Sequence, residues 1–138
     1  MSETTNWNAT IIDEFRANAG RVGGPFQGAP VLLLHTTGAK SGAERVNPTM
    51  YLDLDGHRYV FASKAGADTN PDWFHNLIAH PQIMVEVGTE TYPATAVHVT
   101  GAERDRIYAE QASRYKGFAE YAQKTTRVIP VVEITRNS

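Results

Sequence analysis

Lys40, Ser41 and Arg45 stand in the run from Thr36 to Arg45, which carries Gly38 and Gly42 between two apolar stretches. Two cations and a hydroxyl donor on a glycine-rich loop suit a phosphate or carboxylate. Glycines let successive amide N–H groups curl towards one point, and charged donors bond anions more strongly than neutral ones. The same residues also read as a plain hairpin connection with surface cations. A Walker A loop is excluded, because that motif needs Gly-Lys-Ser/Thr at the start of a helix. Here Ala39 precedes Lys40, and Pro48 soon follows in a strand-like run. No strand–helix unit surrounds the loop, so it is not a dinucleotide fingerprint either.

Other reactive groups are sparse. The five histidines, His35, His57, His75, His80 and His98, give no pair at metal spacing on one expected face, so no metal site is expected. No Gly-x-Ser-x-Gly nucleophile elbow is present, and no carboxylate pair can be picked out for glycoside chemistry. A chain with no visible nucleophile, base or metal suits chemistry carried by a cofactor that the protein binds and orients. The loop at 38–45, the small-residue loop at 65–67 and the aromatic segment at 115–121 are candidates for that work.

These residues sit on elements that the sequence also marks. Trp7, Ile11, Phe15 and Ala19 recur at helical spacing, and Gly20, Gly23, Gly24 and Pro25 end that helix in a flexible connector. Strands are expected over 31–37, 46–54 and 57–64. Asp55-Gly56 forms a two-residue turn, because both positions tolerate positive φ. That turn sets Asp53 opposite Arg58, Leu52 opposite Tyr59, Met50 opposite Phe61, Pro48 opposite Ser63 and Asn47 opposite Lys64. Met50, Leu52, Tyr59, Phe61 and Ser63 then share one face, with Asn47 and Lys64 on the other. Asn70 and Pro71 open a short helix through Trp73, Phe74 and Leu77. Strands follow over 83–87 and 91–99, turning at Gly88. Thr100-Gly101-Ala102-Glu103 reads as a capping box for a helix that breaks at Lys116-Gly117. A short helical turn at 118–121 and a last strand over 129–134 complete the chain. Six short strands with connecting helices suggest a barrel-like antiparallel sheet with helices at its rim.

With 138 residues the chain is most simply one domain able to bury a real core. A net charge of −2 offers no basic field for nucleic acid, and it makes the cluster Lys40, Arg45 and Lys64 more informative. Cysteine is absent, which excludes disulfides and thiol catalysis. No apolar run approaches the ~18 residues of a membrane span. Residues 1–5 lack the pattern of a signal peptide. A cytoplasmic protein is expected.

Four ordered blocks resemble the deazaflavin (F420)-dependent nitroreductase family. They are residues 37–45, residues 62–66 (Ala62-Ser63-Lys64-Ala65-Gly66), residues 70–77, and the closing segment 115–130 with Thr125, Arg127, Ile129 and Pro130. The resemblance implies an α+β split β-barrel of the FMN-binding-like kind, with about six mostly antiparallel strands. An N-terminal helix and connector would occupy 1–29 and the barrel 30–138. It also implies reduced coenzyme F420, a deazaflavin with a polyanionic tail, as hydride donor to an electron-poor acceptor. Activated alkenes, such as unsaturated lactones or esters, and quinones are the candidate acceptors.

By the family's pattern Lys40, Ser41, Arg45 and Lys64 face the phosphate and tail, with Asn47 and Asn76 as hydrogen-bonding neighbours. Backbone at Ala65 and Gly66 approaches the ring. The substrate lies near Met50, Ser63, Tyr115, Phe118 and Tyr121, with Ser63, Tyr115 and Tyr121 as the hydroxyl donors to the reacting carbonyl. Ala39 stands where family members often carry arginine. Met50 and Phe118 stand where nitroimidazole-reducing members carry tyrosine. An FMN-using split-barrel enzyme and a non-catalytic carrier of a deazaflavin, haem breakdown product or fatty acid are the alternatives. A monomer or weak homodimer is expected.

Overall fold

The computed structural model describes residues 3–22 and 30–137; the side chains of residues 3–8 and of Ala65 lie outside that description. The expected connector at Gly23, Gly24 and Pro25, and the Trp7 side chain, therefore lie outside the described residues. Six strands close into a barrel in the order β1-β2-β3-β6-β5-β4, every neighbouring pair antiparallel. They are β1 (Val31–Thr37), β2 (Glu44–Leu54), β3 (His57–Phe61), β4 (Gln82–Val87), β5 (Glu90–Val99) and β6 (Val131–Arg136). The helices are α1 (Glu3–Ala17), α2 (Asp72–Ala79), α3 (Gly101–Arg114) and α4 (Lys116–Lys124).

Period-two alternation sorts the core into two layers. Leu32, Leu34, Val60, Ile83, Val85, Tyr92, Val132 and Ile134 fill the barrel, and Phe74 and Leu77 of α2 join them. On the outer face Val31 and Leu33 meet Ile11 and Phe15 of α1. Leu52, Tyr59, Phe61 and Val131 meet Ile107 and Tyr108 of α3 and Phe118 of α4. Strands covered on both faces read as nearly continuous apolar runs, which is why β1 carries Val31, Leu32, Leu33 and Leu34 in succession.

The turn between β2 and β3 is the one expected, with Asp55 at φ 55 and Gly56 at φ 83. It pairs Asp53 with Arg58 and Leu52 with Tyr59. Several local expectations gave way. Thr100 is the residue before α3, but its side chain makes no cap bond, and Glu103 is drawn instead to Arg106 at 2.6 Å. The break between α3 and α4 falls at Tyr115, with φ −131 and ψ 102, and Lys116 and Gly117 already belong to α4. Pro71, not Asn70, precedes α2, because the Asn70 amide oxygen accepts a bond from Arg127.

Candidate active site

The site opens where β3 and β2 part. The expected pairs Met50–Phe61, Pro48–Ser63 and Asn47–Lys64 do not form. β2 pairs with β1 over residues 44–50 and with β3 only over residues 51–54. β3 follows β6 instead: Phe61 pairs with Val131, and the Ala62 N–H donates to the Pro130 carbonyl at 3.0 Å. Lys64 then turns the chain away at φ 47, so β3 ends at Phe61 rather than at Lys64. Among the described residues no strand covers the second edge of β2 over residues 44–50. Pro48, with no N–H to leave unpaired, suits that open edge. The result is a cleft bordered by β2 and by the departing residues 62–66.

Arg45, Asn47 and Met50 stand along the β2 border. Arg45 and Met50 are five residues apart, roughly 16 Å at about 3.3 Å per residue. Asn47 is opposite Leu34 and shares the barrel-interior face, whereas Met50 is opposite Val31 and points outward to the helices. The expected division between the two faces of β2 is therefore present.

At the Arg45 end lies the loop between β1 and β2. Its amides do not form the open nest expected of them. Gly38 N–H donates to the Ala43 carbonyl at 2.8 Å and Gly42 N–H to the Gly38 carbonyl at 2.9 Å. Ala43 N–H donates to Ser41 Oγ at 3.2 Å, and Ala39 N–H to Asn76 Oδ1 at 2.9 Å. These four donors are spent on the loop's own shape and on α2, which leaves the amides of Lys40 and Ser41 and the cationic side chains facing outward. Asn76 is buried on α2 and also donates from Nδ2 to Thr36 Oγ1 at 3.3 Å. It pins the loop to the helix that closes the barrel.

Most arginines are paired, and the three cations beside the cleft are not. Arg16, Arg58, Arg104, Arg106, Arg114 and Arg136 each sit on a carboxylate. Lys40, Arg45 and Lys64 are exposed and form no such pair among the described residues; Lys64 Nζ donates only to Thr69 Oγ1, at 3.2 Å. Charges kept free of local acids suit an anion from outside.

The second border is held by Arg127, to which sequence reasoning gave no role. Its guanidinium donates from Nε to the Ala67 carbonyl at 2.7 Å, and from Nη2 to the Ser63 carbonyl at 2.7 Å. Nη1 donates to the Ala62 carbonyl at 3.1 Å and to Asn70 Oδ1 at 2.7 Å. Burial among these neutral acceptors pulls its pKa below the usual arginine value, with the nearby Asp68 carboxylate opposing. The Ser63 carbonyl is thus occupied, while its hydroxyl makes no hydrogen bond to any described residue.

The turn at Lys64–Gly66 packs on α4. Gly66 has φ 81, and a Cβ there would stand 3.1 Å from both Cα and the carbonyl oxygen of Tyr121. The room expected beside Gly66 is therefore taken by α4. Tyr121 and Tyr115 are half-buried, and their hydroxyls form no hydrogen bond among the described residues. Phe118 is only 7% exposed and touches the rings of Phe61, Tyr108, Tyr115 and Tyr121 edge-on. It is the hub of the aromatic wall, and Tyr115, Tyr121 and Met50 are its accessible margin.

One further polar group is buried nearby. Gln111 of α3 is fully enclosed, and neither Oε1 nor Nε2 has a partner among the described residues. Leaving such an amide unsatisfied costs about 1–3 kcal/mol. Its only sequence signal is its place in the stripe Ile107, Tyr108, Tyr115.

A cleft with free cations at one end and an aromatic, hydroxyl-bearing wall at the other matches a long ligand with a flat ring and an anionic tail. Residues 7–136 match the family described as F420H(2)-dependent quinone reductase. The chain belongs to this family. It is therefore an oxidoreductase, and its cofactor is reduced coenzyme F420. The F420H(2)-dependent quinone reductase Rv1261c of Mycobacterium tuberculosis is 38% identical over 130 residues, covering 88% of this chain and 85% of the relative. A solved F420-H2 dependent reductase, FDR-A, superposes with a TM-score of 0.68 at 38% identity, covering 76% of this chain and 93% of that one. A second solved structure, described as a domain-swapped dimer, superposes with a TM-score of 0.70 at 34% identity and covers 96% of this chain and 99% of that one. The family agrees with the split β-barrel expected from sequence. Among the described residues no helix is long and apolar enough to cross a membrane, and no cluster of His, Cys, Asp or Glu could hold a metal.

Proposed function

We propose that this protein reduces quinones, and more broadly electron-poor conjugated carbonyl compounds such as unsaturated lactones or esters, with F420H2. The observation that carries the reading is the contact of the Lys64–Gly66 turn with Tyr121. It joins the cation-bearing border of the cleft to the hydroxyl-bearing wall, so tail recognition and acceptor binding share one surface. Reduced F420, when bound, supplies a hydride from C5 of its ring.

The chain's own residues supply binding and charge stabilisation. Lys40, Arg45 and Lys64 hold the phosphate and tail, with Ser41, Asn47 and Asn76 shaping that end. The backbone at Ala65 and Gly66 fixes the border next to α4. Met50, with Phe118 backing the wall behind Tyr115 and Tyr121, holds a flat acceptor and excludes water. Negative charge that develops on the acceptor oxygen is met by a hydroxyl of Tyr121, Tyr115 or Ser63, and solvent returns the final proton. A quinone gains two electrons and two protons in all. The cleft lies within one chain, so a monomer suffices, and the cytoplasm is the compartment in which we place it.

Fluorescence titration with F420 and with FMN, followed by turnover of the 1,4-quinone menadione with F420H2, tests this reading. Clearly tighter F420 binding and menadione reduction are expected. Equal or tighter FMN binding, or no reduction of menadione, overturns it.

A further inference from the structure

Gln111 is the buried side chain whose polar atoms the fold leaves without partners, among the described residues. It lies three and four residues after Tyr108 and Ile107, so the three share one face of α3, and Tyr115 follows at the helix end. That face packs into the cluster that also holds Met50, Phe118 and Tyr121. An amide on that face, buried and without a hydrogen-bond partner among the described residues, is a poor core residue and a good recognition group.

We propose that Gln111 is a substrate-recognition residue, whose amide bonds the far oxygen of a quinone held against the aromatic wall. This rests on the quinone reductase reading. A 1,4-quinone carries two carbonyl oxygens on opposite sides of its ring. While one faces the hydroxyls of Tyr121 or Ser63, the other points deeper into the wall. Nε2 donates to that oxygen in the quinone. Once the oxygen carries a proton, Oε1 accepts from the hydroquinone O–H. A carboxamide offers both a donor and an acceptor, so substrate and product are each satisfied without a change of charge in the core. Tyr115, at the break between α3 and α4, forms no hydrogen bond through its hydroxyl among the described residues, so a shift of its ring to admit the acceptor breaks no such bond.

The test is Gln111→Leu, an apolar side chain of similar size. Three quantities are measured: Tm of the protein without ligands, Kd for F420, and the separate kcat and KM for menadione with F420H2. The expected result is an equal or higher Tm, since an unsatisfied amide has been removed. Kd for F420 should stay within twofold. KM for menadione should rise roughly tenfold or more, with kcat changed much less, as befits a lost binding contact. A KM within twofold of wild type overturns the inference, with the quinone reductase reading intact. So does a lower Tm with kcat falling alongside, because Gln111 is then structural. Wild-type protein that binds F420 but reduces no menadione overturns the reading itself, and this inference with it.

Discussion

Arg127 donates from Nη2 to the carbonyl oxygen of Ser63 at 2.7 Å, across 64 residues of sequence. The same guanidinium reaches Ala62, Ala67 and Asn70, so one side chain fixes the segment that parts from β2. A lysine carries the charge but lacks the planar fork. Arg127→Lys should lower stability by about 1–3 kcal/mol, from bonds worth about 0.5–1.5 kcal/mol each. It should also weaken F420 binding, because the Lys64–Gly66 border loses its shape. Thermal denaturation and cofactor titration check this. Unchanged values in both would show that the segment holds itself.

Lys40→Ala and Arg45→Ala should each weaken F420 binding by on the order of 1–3 kcal/mol at low salt. The loss should shrink as salt is raised, because exposed charges are screened. Folding should be preserved, since neither residue forms an ion pair with its own chain among the described residues. Titrations at two ionic strengths decide the matter, and unchanged affinity in both variants would reduce the loop to a connection.

Tyr121→Phe removes a hydroxyl that bonds no described residue, so Tm should hardly move. If that hydroxyl meets the developing charge, kcat/KM for menadione or an unsaturated lactone should fall roughly tenfold or more. Cofactor affinity should stay level. Steady-state kinetics with F420H2 provide the measurement, and full activity passes the role to Tyr115 or Ser63.

Glu86 joins α1 to the barrel. It accepts two bonds from Arg16, the shorter 2.7 Å, and contacts His35 Nε2 at 2.6 Å. The bond from Arg16, with His35 adding to it, holds the Glu86 carboxyl below its ordinary pKa. A carboxylate with a lowered folded pKa contributes stability above its unfolded value, near 4.3, and loses it as pH falls through the folded value. Arg16 is half-exposed, so the contribution is small, about 1 kcal/mol. Glu86→Gln should therefore be less stable than wild type at pH 7, with the gap closing below pH ~4. Urea melts at both pH values measure it; a gap that persists in acid would mean that the loss is not electrostatic.

The sequence by itself determined the elements and the kind of ligand. Turn chemistry at Asp55-Gly56 and apolar periodicity act over a few residues, so the hairpin, its register at Asp53–Arg58 and the helices were legible there. The free cations Lys40, Arg45 and Lys64 were legible too, because they stand out from an acidic background. Tertiary structure decided where β3 leaves β2. The turn alone would carry the ladder on to Lys64, but Val131 competes for Phe61 and Arg127 takes the carbonyls beyond it. It decided that the loop amides close on themselves and on Asn76, from a helix 37 residues away. It also decided that Gln111, one polar residue in an apolar stripe, is sealed without a partner. In each case the deciding partner lies far along the chain, and local preference carries no record of a bond that only closure of the barrel brings within reach.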